Sequence, residues 1–186
     1  MEDEQIIKLY LSRSESAITE TSSKYGTFFR RISLNILRSD PDADECVNDA
    51  YLKTWNSIPP HQPERLPAFI ARIVRNLSLN RWKQLHAQKR GSGELPLALS
   101  ELEECVPDRS TVESEYDRSV LSKALNRFLA GLPEEKRTVF MLRYWYLVPL
   151  KAIAEQTGKT ESAVKSMLFR TRSELRSFLE KEDIQI

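Results

Sequence analysis

Apolar residues recur every three or four positions along almost the whole chain, and this periodicity constrains its fold more than any other feature. Such spacing places the apolar side chains on one face of an α-helix. The clearest stretch contains Ile18, Tyr25, Phe28, Phe29, Ile32, Ile36 and Leu37. The chain has only five glycines, which disfavours a strand-rich fold with many tight turns. We therefore predict an all-α protein.

Turn-forming residues divide the helical pattern into two parts. Four prolines within residues 59–67 enforce an irregular loop in the first part, because proline lacks a backbone donor. Residues 91–115 begin with Gly-Ser-Gly and show no clear period, so we expect an acidic flexible linker with at most a little helix. The predicted organisation is two small helical domains, 1–90 and 116–186, each only marginally stable alone.

Charge is distributed very unevenly along the chain. The 28 lysines and arginines nearly cancel the 27 acidic residues, for a net charge of +1. Residues 39–50 hold five acids and no base, whereas residues 65–90 hold seven bases and no acid. Residues 91–119 carry a net charge of −6 and residues 159–176 carry +3. The near-neutral total therefore does not argue against a nucleic-acid partner.

Several functional classes find no support in the sequence. Cys46 and Cys105 form no CxxC pair, so no disulfide framework or metal site is expected. The only histidines are His61 and His86, and GxSxG, HExxH and P-loop motifs are missing, so we expect no enzyme, no cofactor and no small-molecule substrate. The acidic N-terminus precedes no apolar core, and no stretch reaches the about 18 apolar residues of a spanning helix. These features predict a cytoplasmic protein with reduced thiols.

A helix-turn-helix is predicted near the C-terminus. Ile153 and Ala154 face the core, and Gly158 can adopt the left-handed conformation that ends a helix. Thr160 can then cap the second helix with its hydroxyl, and Val164 returns to the core. The second helix would expose Lys165, Ser166, Phe169, Arg170 and Arg172.

Those exposed side chains suit DNA. Lysine and arginine neutralise phosphates and can bind guanine in the major groove, serine can contact phosphate or base, and phenylalanine can contact a thymine methyl group. The alternative is a solvated basic face on an ordinary helical hairpin. DNA binding is favoured because the turn, the caps and the apolar spacing all agree with it.

A second candidate nucleic-acid surface is the basic helix predicted from about residue 67 to about residue 90. It places Trp82 and His86 among its bases, and Asn76 and Asn80 supply donors and acceptors. Basic side chains can contact successive phosphates while aromatic rings stack on unpaired nucleobases, and this combination suits melting DNA. From this helix alone, a core helix with a basic solvent face is an equally good interpretation.

An acidic helix predicted to start near Asp42 would repel DNA and suits a protein partner instead. Tyr51 and Trp55 are four residues apart on one face, with Asp44 and Asp49 nearby. This combination is typical of a docking surface with an aromatic anchor and charge steering. The alternative is that the two aromatic residues belong to the core.

Several motifs together resemble the bacterial sigma-70 family, extracytoplasmic-function (ECF) type. Residues 44–51 with Trp55 resemble region 2, and residues 68–77 resemble the helix that follows it. Residues 132–137 and the helix-turn-helix resemble region 4. The motifs occur in the family's order and cover nearly all of the chain outside the linker. The resemblance implies two helical domains, regions 2 and 4, without regions one and three.

The resemblance also implies partners. Core RNA polymerase would be bound through the β′ clamp helices and the β flap, promoter DNA would be read, and an anti-sigma protein would hold the factor inactive. The residues implied in core binding are Asp44, Glu45, Asn48, Asp49, Tyr51, Leu52 and Trp55. The acidic linker would pass through core polymerase.

Two promoter elements are implied as targets. Region 2 would open the −10 element through Arg72, Asn76, Asn80, Arg81, Trp82 and Lys83. Region 4 would read the −35 element as duplex through Thr160, Ser162, Lys165, Ser166, Phe169, Arg170 and Arg172. The alternative function is a helix-turn-helix regulator of the response-regulator output type, which the acidic and basic helices upstream disfavour.

Overall fold

A computed structural model of the chain describes residues 1–86, 94–103, 105, 115–182 and 184. Within these residues the protein forms nine α-helices and one π-helical turn, and it has no strand. The elements in chain order are α1 (Asp3–Leu11), α2 (Ser16–Leu37), α3 (Asp40–Ser57), α4 (Leu66–His86), α5 (Glu94–Glu103), α6 (Glu115–Gly131), α7 (Glu134–Phe140), the π-helical turn (Met141–Trp145), α8 (Leu150–Thr157) and α9 (Glu161–Lys181). The predicted all-α class is confirmed.

The chain divides into two units, Met1–Gly91 and Ser92–Ile186. Helices α1 to α4 belong to the first unit and the remaining elements to the second. The segment predicted as a flexible linker therefore contributes a ten-residue helix, α5, to the second unit. The last four residues of the predicted basic helix, 87–90, lie outside the described residues.

In the first unit, α2, α3 and α4 pack on one another through their apolar stripes. Phe29 and Ile32 of α2 and Ile70 and Val74 of α4 are at most 2% exposed. Burying side chains of this size is worth about 1.5–3 kcal/mol each and is the main stabilising contribution to such a bundle. The amphipathic period of the sequence thus determines which face each helix buries.

The acidic helix α3 begins two residues before the predicted start. Ser39 is in an extended conformation and its hydroxyl accepts a hydrogen bond from the backbone amide of Asp42 at 3.5 Å. Proline is tolerated in a first helical turn, where its missing amide would have no partner, so Pro41 does not delay the start. Asp40 and Asp42 lie at the positive end of the helix dipole.

In the second unit, α8 and α9 form the predicted helix-turn-helix. Gly158 ends α8 with φ +65°, the left-handed conformation expected for it. The Thr160 hydroxyl caps α9 by accepting a hydrogen bond from the Ala163 amide at 3.2 Å. Ile153 and Val164 are fully buried beneath the turn. Both predicted caps are confirmed.

Candidate nucleic-acid and partner-binding surfaces

One face of α9 is exposed over its first ten residues and matches most of the predicted −35 set. We call it the reading face; its members are Ser162, Lys165, Ser166, Phe169 and Arg170. Phe169 is 62% exposed, so its ring is available for contact with a partner. The Arg170 guanidinium donates to the backbone carbonyl of Ser166 at 3.3 Å. Thr160 is exposed at the start of the helix, where its hydroxyl is used as the cap.

Arg172 does not lie on the reading face, contrary to the expected exposure. Its side chain is only 14% exposed. It donates a 2.7 Å hydrogen bond to the Tyr144 hydroxyl and lies 3.4 Å from a carboxylate oxygen of Glu101. A DNA contact by Arg172 would require these bonds to break. The predicted exposure of Arg172 is therefore wrong.

Four of the six residues predicted for the −10 element form a stripe on α4. Arg72, Asn76, Asn80 and Lys83 are all exposed and recur at intervals of four, four and three residues. This spacing keeps them on one side of the helix. The stripe combines two cationic groups with two amides that can both donate and accept hydrogen bonds.

Arg81 lies apart from the α4 stripe because it bridges to α3. It donates to Asp42 at 2.9 Å and 3.0 Å and to Glu45 at 3.2 Å. Hydrogen bonds from Ser39 and Arg81 lower the pKa of Asp42 below its ordinary value. The remaining predicted member, Trp82, is half-buried. Arg81 therefore serves the α3–α4 contact in this structure.

The acidic helix presents a continuous surface of the kind predicted for docking. We call this the acidic face; it consists of Asp44, Glu45, Asn48, Asp49 and Leu52, all exposed. Leu52 is 59% exposed, so an apolar side chain stands at one end of a polar and acidic strip. Asp44 accepts a hydrogen bond from Arg30 of α2 at 2.7 Å.

The two aromatic residues predicted to anchor a partner are less exposed than the members of the acidic face. Tyr51 is 7% exposed and its ring packs edge-on against Phe29 at 6.4 Å, and burial raises its pKa. Trp55 is half-buried, with its ring 6.3 Å from Tyr10 and beneath the guanidinium of Arg13. The core interpretation is therefore correct for Tyr51, and the expected anchoring role was wrong for it.

A charged cluster in the second unit was missed by sequence reasoning. Arg143 lies in the π-helical turn with its side chain 0% exposed, and it donates to Glu101 of α5 at 3.0 Å. The Tyr144 hydroxyl donates to the same carboxylate at 2.8 Å, and burial raises the pKa of Tyr144. The sequence did offer a signal for this cluster. Arg143 follows Val139 by four residues and so lies in the apolar stripe of its helix, and a buried cation requires a partner.

Both cysteines are buried. Cys46 is buried in the first unit, and burial raises the pKa of its thiol. In the described part of the chain, no group of three or more His, Cys, Asp or Glu residues is arranged to hold a metal ion. Among the helices that the structure describes, none is both long and apolar enough to cross a membrane.

A helix-turn-helix whose second helix exposes lysine, arginine and serine is typical of a DNA-binding protein. Two family models match the chain, "Sigma-70 region 2" over residues 22–88 and "Sigma-70, region 4" over residues 122–175. The chain belongs to the sigma-70 family of RNA polymerase sigma factors and is of the ECF type. Sigma factors of this family direct transcription from promoters.

Similar curated proteins agree with this assignment. The RNA polymerase sigma-E factor of Streptomyces antibioticus is 26% identical over 78% of this chain and 75% of its own length. The RNA polymerase sigma factor SigV of Bacillus subtilis is 25% identical over 84% of this chain and 87% of its length.

A third relative, the probable RNA polymerase sigma factor RfaY of Xanthomonas campestris, is 26% identical over 80% of this chain but only 36% of its own length. This chain therefore corresponds to little more than a third of that relative. Among solved structures, CnrH in complex with the cytosolic domain of CnrY aligns over 96% of this chain and 97% of that one, at 17% identity and a TM-score of 0.44.

Proposed function

We propose that the chain binds core RNA polymerase and recognises two separate promoter elements, with a different exposed surface for each contact. The observation that carries the proposal is the segregation of charge among three helices. The reading face exposes cations and hydroxyls and the α4 stripe exposes cations and amides, whereas the acidic face exposes carboxylates beside Leu52. A surface that repels phosphate needs a partner other than DNA.

The reading face of α9 would bind the −35 element as duplex. The N-terminal half of the second helix of a helix-turn-helix enters the major groove, and Lys165 and Arg170 are exposed there. The exposed ring of Phe169 suits a thymine methyl group, and Ser162 and Ser166 suit phosphates or base edges. Arg172 is left out of this contact set because its side chain is held by Tyr144 and Glu101.

The α4 stripe would bind the −10 element as it opens. Arg72 and Lys83 are placed to neutralise phosphates, while Asn76 and Asn80 can bind the edges of unpaired bases. Opening would draw on binding free energy, with no catalytic step and no cofactor. Arg81 would support this surface indirectly by holding α4 to α3.

The acidic face of α3 would bind the β′ clamp helices, with Leu52 as its apolar contact. The exposed carboxylates would steer the approach to a basic surface, and Leu52 would be desolvated on binding. The β flap would be contacted by the second unit and an anti-sigma protein would control availability. The site of action would be the cytoplasm, where RNA polymerase works.

The test is in vitro transcription from genomic DNA with core polymerase and the purified full chain, with mapping of the start sites. We expect start sites preceded by two shared sequence elements at a fixed spacing. Two separate weak contacts gain affinity when core polymerase holds both units on one DNA, so the free chain should bind the same DNA poorly. Tight binding of free duplex together with no binding of core polymerase would instead support the regulator alternative.

Replacing Lys165 or Arg170 with alanine should weaken use of the −35 element. Each substitution is expected to cost about 1–3 kcal/mol if the side chain makes a good base contact. Transcription from promoters with an intact or a scrambled −35 element measures the loss. Lys123→Ala, which removes an exposed lysine from α6, serves as the matched control. Normal −35 dependence in both variants would rule out the reading face.

A further inference from the structure

The helix α5 is packed into the second unit. Ala98 is 1% exposed and Cys105, just beyond the helix, is 3% exposed. The Cys105 thiol lies 3.3 Å from the backbone carbonyl oxygen of Leu102 and can donate a hydrogen bond to it at the end of α5. Helix α5 thus packs against the π-helical turn.

The inward side of α5 carries Glu101, whose carboxylate is shared by three side chains. Arg143 donates to one oxygen at 3.0 Å, and the Tyr144 hydroxyl donates to the other at 2.8 Å. Arg172 of α9 reaches that second oxygen at 3.4 Å and the Tyr144 hydroxyl at 2.7 Å. One carboxylate therefore connects α5, the π-helical turn and α9.

The connection continues to the reading face. The Arg172 guanidinium lies 5.9 Å from the centre of the Phe169 ring, within the range of a cation–π contact. Arg172 is three residues after Phe169 on the helix, so the two side chains are neighbours. The ring, 62% exposed, thus has a fixed cation on one side and solvent on the other.

We infer that Glu101 and Tyr144 hold Arg172 beside Phe169 and thereby position the aromatic ring on the surface that reads the −35 element. The inference rests on the proposed function of the reading face. An exposed phenylalanine samples several rotamers, and the rotamers lost on binding reduce affinity and discrimination. A cation held in place by a partly buried carboxylate and a phenol limits that sampling before DNA arrives. Helix α5 is then a positioning element for promoter selectivity, and Glu101, Tyr144 and Arg172 are positioning residues.

Tyr144→Phe is the sharpest variant, because it removes the hydroxyl that bridges Arg172 and Glu101 and leaves the Arg143–Glu101 ion pair in place. The experiment uses the full chain with core polymerase and compares a promoter that the wild type uses with single-base substitutions through its −35 element. We expect the wild-type discrimination to fall by about fivefold or more, the size of one good base contact. Glu101→Gln, which removes the charge with little change in shape, should act in the same direction.

The matched control is Tyr25→Phe, which removes a comparable 2.6 Å hydrogen bond from a tyrosine to Asp3 in the first unit. It should leave −35 discrimination unchanged. Phe169→Ala should lose as much discrimination as Tyr144→Phe, and the double variant should lose no more than Phe169→Ala alone, because the two act on one contact.

Two results would overturn the inference. In the first, Phe169→Ala loses −35 discrimination, whereas Tyr144→Phe and Glu101→Gln both keep the discrimination of the wild type. The other is an equal loss of transcription from every −35 variant, which would indicate only reduced stability. A wild-type chain that transcribes without any −35 dependence would instead contradict the proposed function of the reading face, and it would do so before any variant is compared.

Discussion

Replacing Glu101 with leucine is expected to lower the free energy of unfolding of the second unit by about 3–5 kcal/mol. The substitution takes the carboxylate partner from Arg143, whose side chain is 0% exposed, and a guanidinium in that position cannot be rehydrated without opening the fold. Arg172 loses a partner as well. Because a helical unit of this size is only marginally stable, a loss of this magnitude is a large part of its total.

Hydrogen exchange of the Val164 and Leu168 backbone amides in α9 measures the effect in the second unit alone. This choice matters because a two-unit chain need not unfold in one step, and a single global transition would mix both units. Both residues are at most 2% exposed, so their amides report opening of the core of the unit.

Two further variants control for trivial causes of the instability. Glu180→Gln removes an exposed ion pair with Arg176 in the same unit and is expected to change stability by no more than about 0.5 kcal/mol. The double variant Glu101→Leu with Arg143→Met removes both charges and should recover much of the lost stability, since apolar replacement of a buried ion pair is often neutral. A change below about 1 kcal/mol in Glu101→Leu alone would show that the Glu101 carboxylate does not stabilise the unit by pairing with Arg143.

Features that depend on neighbours in sequence could be predicted from the sequence. The end of α8 at Gly158 and the cap of α9 at Thr160 involve residues within one helical turn, and both were predicted correctly. The same is true of Lys165, Ser166, Phe169 and Arg170, whose exposure follows from their positions between the buried residues of one helix.

Features that depend on a distant partner could not be predicted in this way. Helical spacing left Arg172 exposed, but its partner Glu101 is 71 residues away, in a segment whose sequence has no clear period. The residues of α5 were predicted to be linker for the same reason. The contacts that hold this helix are with Arg143 and Tyr144 of the π-helical turn, which are distant in sequence. Spacing also could not decide whether Tyr51 faces a partner or the core, and its contact with Phe29 of α2 places it in the core.

Reversing Asp44 and Asp49 together to lysine is expected to weaken binding to core RNA polymerase by about 100-fold, or about 2.8 kcal/mol. The proposed partner surface is basic, so each reversal replaces an attraction with a repulsion at a desolvated contact. Asp49 is exposed, and Asp44 bonds Arg30 at the surface, so most of the effect should fall on binding rather than on folding. Competition with a labelled sigma factor for purified core polymerase measures the affinity.

The matched control reverses two exposed acids elsewhere in the first unit, Glu4 and Glu64, which changes the net charge by the same amount. This control should retain most of its core affinity, because long-range attraction is screened within about 10 Å at ordinary ionic strength. Leu52→Ala should weaken binding without any change in charge, since its 59% exposed side chain would lose an apolar contact. If the Asp44 and Asp49 reversal and the control lost the same amount of core affinity, net charge rather than the acidic face would determine the affinity. If the reversal lost none, the acidic face would not be the docking surface. Unchanged DNA binding by the second unit in the same variant would show that the defect lies in docking alone.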